Sequence, residues 1–171
     1  IAQSLYGLAG RTTDARVPII LSICRFRAGE AYNVIPKIVE MGGSVRCSEN
    51  DARKPFIKKM EAVAQQMAQL HGAEARFTWY EGSPAMFNDA HLVDVAGRCI
   101  ENLHGAEAIH RIDKPSMGAE DFAYYQEQTA GAMIRVGSRG GPDSAHPLHS
   151  TLFDLDEDIM APTSSTMTQI L

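Results

Sequence analysis

The sequence predicts an α/β protein: a first half of α+β type built on a small antiparallel sheet, then a half in which short strands and helices alternate. Three observations predict it. Residues 17–27 (VPIILSICRFR) alternate with strand period, placing Val17, Ile19, Leu21 and Ile23 on one side and Ile20, Ser22, Cys24 and Phe26 on the other. Phe56, Ile57, Met60, Val63, Met67 and Leu70 draw one apolar stripe along a helix. Beyond Gly82-Ser83-Pro84 the apolar segments shorten and switch repeatedly between the two periods.

Taken in order, Ile1, Leu5 and Leu8 sit at helical spacing and read as the last turns of a helix that stops at Gly10, so the chain is expected to begin partway through an element. The strand over 17–27 follows. Gly29-Glu30-Ala31-Tyr32-Asn33 is turn-rich, and Pro36 keeps Ile35 extended ahead of a second strand near 38–47. Ser48, Asn50 or Asp51 can cap the helix over 52–70, and Gly72 is placed to end it. Residues 75–81 (ARFTWYE) alternate again and predict a half-buried strand. After the punctuation at 82–84, Asn88 or Asp89 can cap a helix that closes at His104-Gly105. A short strand near 109–112, a helix near 119–128, a strand at 132–136 and a final helix after Asp154 complete the reading.

Composition excludes several functions. The 171 residues are 44% hydrophobic and 22% charged, with a net charge of -5, which is ordinary globular composition for one domain or two small ones. No apolar run approaches the roughly 18 to 20 residues that span a bilayer, so no membrane partner is expected. The mildly acidic balance argues against nucleic acid, whose phosphates demand clustered Lys and Arg. Cys24, Cys47 and Cys99 are odd in number and in no CxxC pair, and read as reduced, buried thiols of a cytoplasmic protein.

Few residues stand out chemically. His71 and His104 each precede a glycine at a helix end, where positive charge is favourable. His91 and His110 read as structural or solvated. His146 and His149 fall in a long loop, 140–150, with no apolar pattern, and imidazole is a common ligand of divalent metals; two histidines alone complete no four-ligand site. Glu120 and Asp121 are adjacent carboxylates at a predicted helix start, where they complement the helix dipole or face a metal or a substrate amide. The Asn33 amide can donate to a carbonyl oxygen that gains charge during hydrolysis, and the Arg46 fork can grip a carboxylate. No GxSxG, P-loop, GxGxxG or HExxH motif is present.

Five segments together carry a resemblance. Ala31-Tyr32-Asn33-Val34-Ile35-Pro36, Gly43-Ser44-Val45-Arg46, Pro84-Ala85-Met86-Phe87-Asn88-Asp89, Met117-Gly118-Ala119-Glu120-Asp121-Phe122 and Leu148-His149-Ser150 with Phe153 and Asp154 occur in this order. They resemble the signature elements of the metal-dependent amidohydrolases of the hippurate hydrolase and N-acyl-amino-acid deacylase type, over nearly the whole chain. Thr151 stands where proline is usual, and Arg25 to Arg27 replace smaller residues.

The resemblance implies a βαββαβ lid, here lacking its first strand, over residues 1–87, and the C-terminal part of a catalytic α/β domain over residues 88–171. It implies hydrolysis of N-acyl amino acids by water activated on a two-metal centre of zinc, manganese or cobalt, and a homodimer formed through the lid. By position, His149 would be a metal ligand, Asn33 would hold the substrate carbonyl and Arg46 its free carboxylate, in the same subunit's site or a partner subunit's. Glu120 would lie near the metal centre without an assigned role, and Asn88 marks the return from lid to catalytic domain. The family's other ligands, a Cys-Gly-His-Asp segment, a Glu-Glu pair and a later His, are not among these residues, so the chain alone is expected to be inactive, with an apolar face left open after Asn88 unless a partner covers it. The alternative is an autonomous dimerisation or interaction module with no catalytic role.

Overall fold

The computed structural model describes residues 1–170. It has mixed α/β character and divides into two compact units, one of residues 1–86 with 116–124, the other of residues 87–115 with 125–170.

In the first unit, helix α1 (Ala2–Arg11) turns Leu5 and Leu8 inward and ends one residue beyond Gly10, where the Thr12 amide and hydroxyl both donate to the Leu8 carbonyl. Strands β1 (Ile19–Ala28) and β2 (Val39–Cys47) form an antiparallel hairpin. Helix α2 (Asn50–Leu70) lies against it and buries Phe56, Met60, Ala64 and Ala68. Leu5, Leu8, Phe56 and Met60 make the core, and Ile19, Leu21, Ile23, Val45 and Phe77 pack on it. The buried stripe of α2 is therefore completed by two alanines, while Leu70, placed on the stripe by spacing, is 74% exposed.

A bulge corrects the face assignment of the first strand. Ile23 pairs with Gly43 and Arg25 with Gly42, leaving Cys24 as the extra residue. One extra residue inverts a period of two, so Phe26, opposite Met41, falls on the side of Ile19, Leu21 and Ile23 rather than with Ile20 and Ser22. A side chain at position 43 would run into the Ser22 carbonyl, so the close pairing at the bulge requires glycine. The Ile23 amide is satisfied instead by the Tyr6 hydroxyl at 3.1 Å. The same bulge leaves the Cys24 thiol exposed, and Cys47 and Cys99 are only half-buried, so the expectation of buried thiols does not hold; all three are free.

The ends of α2 divide between expectation and correction. Gly72 adopts φ +67°, and the amides of Gly72 and Ala73 donate to the carbonyls of Gln69 and Ala68, a complete Schellman stop. At the other end the N-cap is Glu49 with no side-chain bond, because the Asn50 Oδ1 accepts the Ala85 amide at 2.7 Å instead.

In the second unit, α3 (Ala90–His104) is capped by Asp89, whose Oδ1 accepts the Leu92 amide at 3.0 Å, and closes at Gly105. Helix α5 (Met160–Ile170) packs on α3; the His104 Nε2 meets the Thr166 hydroxyl at 2.9 Å. The helix expected near 119–128 is the five-residue α4 (Phe122–Gln126), after which the amides of Gln128 and Thr129 both turn back to the Tyr125 carbonyl.

The expected strands at 75–81, 109–112 and 132–136 have no ladder among the described residues. Residues 75–80 keep their alternation, with Ala75, Phe77 and Trp79 half-buried and Arg76, Thr78 and Tyr80 exposed. Alternation reports burial on one side; a strand also needs a neighbour's backbone. Large apolar side chains of the second unit stay exposed, including Ile112, Leu148, Leu152 and Met160.

Phe56→Ala is expected to destabilise the first unit by about 3–5 kcal/mol, read as a lowered urea midpoint with unchanged slope.

Candidate functional site

Cross-strand pairing puts Arg46 opposite Ile20 and Ser44 opposite Ser22, on the face turned away from Phe56. That open face is polar: the Arg25 Nη2 meets the Glu40 carboxylate at 2.8 Å in an ion pair exposed on both sides, worth no more than about 1 kcal/mol. Arg46 is exposed near the base of the hairpin, and its Nη1 donates to the Met117 carbonyl. Asn33 lies at the opposite end, exposed, in the loop that joins the strands. At roughly 3.3 Å per residue the strand path from Val39 to Arg46 is about 23 Å, and no hydrogen bond joins the two residues.

The structure thus brings Arg46 to the segment that carries Glu120. The Ser116 Oγ accepts the Gly118 amide at 3.2 Å, and the Ser83 hydroxyl approaches the Asp121 carboxylate at 3.4 Å. Ser83 is held in turn by Arg53, which donates from Nη1 to the Ser83 carbonyl at 2.9 Å and from Nη2 to Glu81, while the Trp79 indole donates to Glu81 at 2.7 Å. The Arg53 Nε is buried without a partner. Sequence reading passes over Arg53 and Ser116, because a charged residue in an amphipathic helix and a serine after a proline look like ordinary solvated positions.

Glu120 belongs to the first unit and His149 to the second. His149 is exposed in a turn closed by the Ser150 amide on the Pro147 carbonyl, 2.9 Å; His146 is half-buried. The loop before it is gathered around Ser144, whose Oγ accepts the amides of Gly140 and Gly141 at 2.9 and 3.1 Å. Asn88 reaches Met133 with both ends of its amide, donating to the carbonyl at 3.0 Å and accepting the N–H at 2.8 Å. Gln126 likewise accepts the Phe87 N–H at 3.1 Å and donates to the Phe87 carbonyl at 2.9 Å. These amides supply what a neighbouring strand would have supplied.

The profile of peptidase family M20/M25/M40 matches residues 9–171. The chain belongs to that family. An N-acetylcysteine deacetylase of Bacillus subtilis is 32% identical over 170 residues, 99% of this chain and 43% of its own length. The hippurate hydrolase of Campylobacter jejuni is 29% identical over 124 residues, 72% of this chain and 32% of its own. Among solved structures, a dinuclear metal-binding peptidase of the M20 family from Bacillus subtilis superposes with TM-score 0.78 at 31% identity, covering 99% of this chain and 43% of that one. The chain thus spans less than half the length of these family relatives.

Three or more His, Cys, Asp or Glu side chains nowhere come together among the described residues in a group fit to hold a metal. A metal site needs its full set of ligands, so these residues do not by themselves fit the pair of metals that the M20 relative binds. No helix among the described residues is long and apolar enough to cross a membrane.

Asn88→Ala is expected to cost about 0.5–1.5 kcal/mol, because it removes exposed hydrogen bonds whose backbone partners water can take over; faster hydrogen exchange at the Met133 amide would report the loss.

Proposed function

We propose that this family M20 chain is part of a metal-dependent amidohydrolase that cleaves the amide bond of N-acyl amino acids of hippurate type by metal-activated water. Arg46 would take the substrate's free carboxylate, Asn33 would donate to the acyl carbonyl as it gains negative charge, and His149 would give one ligand to a divalent metal, zinc, manganese or cobalt, with Glu120 near that centre. The remaining ligands and the general base would come from outside these 171 residues. Residues 1–87 would be the lid and residues 88–171 part of the catalytic domain, in a cytoplasmic enzyme.

The observation that carries this reading is the hairpin's open face, which presents an accessible guanidinium on a rigid strand rather than on a loop. Relatives named for N-acetylcysteine and hippurate support the substrate class, since both names denote an acylated amino acid. The strand length between Arg46 and Asn33 far exceeds such a substrate, which favours the two residues serving different copies of the site in a homodimer. The hairpin's distal end supports the dimer: Phe26, Ile35, Ile38 and Val39 are exposed, and neither strand has a second strand paired to it among the described residues.

In metal-loaded protein that carries this chain with the missing ligands, Arg46→Ala and Asn33→Ala are expected to lower kcat/KM for hippurate about tenfold to a hundredfold with the melting temperature unchanged. Unaltered efficiency in both variants would overturn the assignment, as would metal-dependent turnover by the 171-residue chain alone. Sedimentation should give a dimer mass, converted to monomer by Ile38→Asp; a monomer at all concentrations would remove the lid-mediated dimer.

A further inference from the structure

An arginine that recognises a carboxylate must present two parallel N–H groups in one plane, and a free arginine side chain samples many rotamers. The Arg46 guanidinium is not free. Its Nη1 donates to the Met117 carbonyl, leaving the edge formed by Nε and Nη2 with no hydrogen-bond partner among the described residues. Met117 lies between Ser116 and Gly118, and the Gly118 amide donates to the Ser116 Oγ at 3.2 Å, a local side-chain-to-backbone closure. A Cβ at residue 118 would stand 3.3 Å from that same oxygen, closer than an ordinary contact. The Met117 carbonyl, between these two residues, is the acceptor for the side chain that arrives from the neighbouring strand.

We propose that Ser116 is a positioning residue: by closing the turn over 116–118 it aims the Met117 carbonyl at Arg46, which fixes the guanidinium with its Nε/Nη2 edge presented to a substrate carboxylate. The proposal rests on the reading of Arg46 given above and narrows the substrate class. A pre-oriented fork has already lost the rotamer freedom that binding would otherwise remove, and it matches two carboxylate oxygens. The amide of a C-terminally blocked substrate offers one acceptor and its own N–H groups, which face the donors of the fork. Substrates with a free α-carboxylate are therefore selected over amidated or chain-extended ones, and part of that selection comes from a serine that touches no substrate.

The test is an NMR titration of the 171-residue chain with N-acetylglycine and with N-acetylglycinamide, following the backbone amide resonances of β2 in every variant and, where Arg46 is present, its Nε–Hε resonance as well. Wild type is expected to prefer the acid. Ser116→Ala should lower the acid-to-amide preference about threefold or more, the effect of freeing one rotamer-rich side chain, without a change in melting temperature. Ser116→Thr, which keeps the hydroxyl, should restore it. Gly118→Val, which crowds the same oxygen, should produce the loss by a separate route. If Arg46→Ala abolishes the preference while Ser116→Ala and Gly118→Val leave it intact, the positioning role is wrong and the carboxylate assignment stands. If Arg46→Ala leaves the preference unchanged, that assignment fails and the positioning role with it.

Discussion

The burial of Phe56 beneath the hairpin is the contact on which the first unit depends. A two-stranded sheet is barely stable in water by itself, and here it is held by one apolar face pressed on two helices. Phe56, only 2% exposed, sits where Leu5 and Leu8 of α1, Met60 of α2 and the inward residues of both strands converge. Once Ile19, Leu21, Ile23 and Val45 turn toward that ring, their neighbours must point the other way. Arg46 is accessible because Val45, half-buried, turns to the core side.

Away from this core, side-chain donors and acceptors take over work that a larger sheet would do. Arg53 and Asn50 bind the backbone of Ser83 and Ala85. Asn88 and Gln126 bind that of Met133 and Phe87. Each buried or half-buried backbone group needs a partner, and an amide side chain, with a donor and an acceptor on one carbon, imitates a strand edge. The arrangement gives the extended segments definite positions without a ladder. It also explains how residues 116–124, far along the chain from β2, come to lie beside Arg46.

The candidate site shows the same division at the level of chemistry. Residue types and motif order single out Asn33, Arg46, Glu120 and His149 as candidates, because amide, guanidinium, carboxylate and imidazole each bring a distinct capability and the five segments occur in family order. Ser116, Arg53 and Gln126 were not legible. Their contacts reach residues 30 or more positions away or close a local backbone segment, and neither leaves a periodic trace.

By itself the sequence determined the α/β class, the hairpin strands, the helices around Phe56 and after Asp89, and the glycine that stops α2. Each of these follows from local periodicity, capping or a positive φ that one glycine satisfies. Tertiary structure alone decided which side of β1 faces the core beyond Cys24, since a bulge exists only through the register of two strands. It also decided that residues 75–81, 109–112 and 132–136 form no ladder among the described residues, because alternation encodes burial while pairing requires another backbone. And it decided the company that Arg46 keeps: a carbonyl carried by residue 117, brought there by folding and invisible in the spacing of any motif.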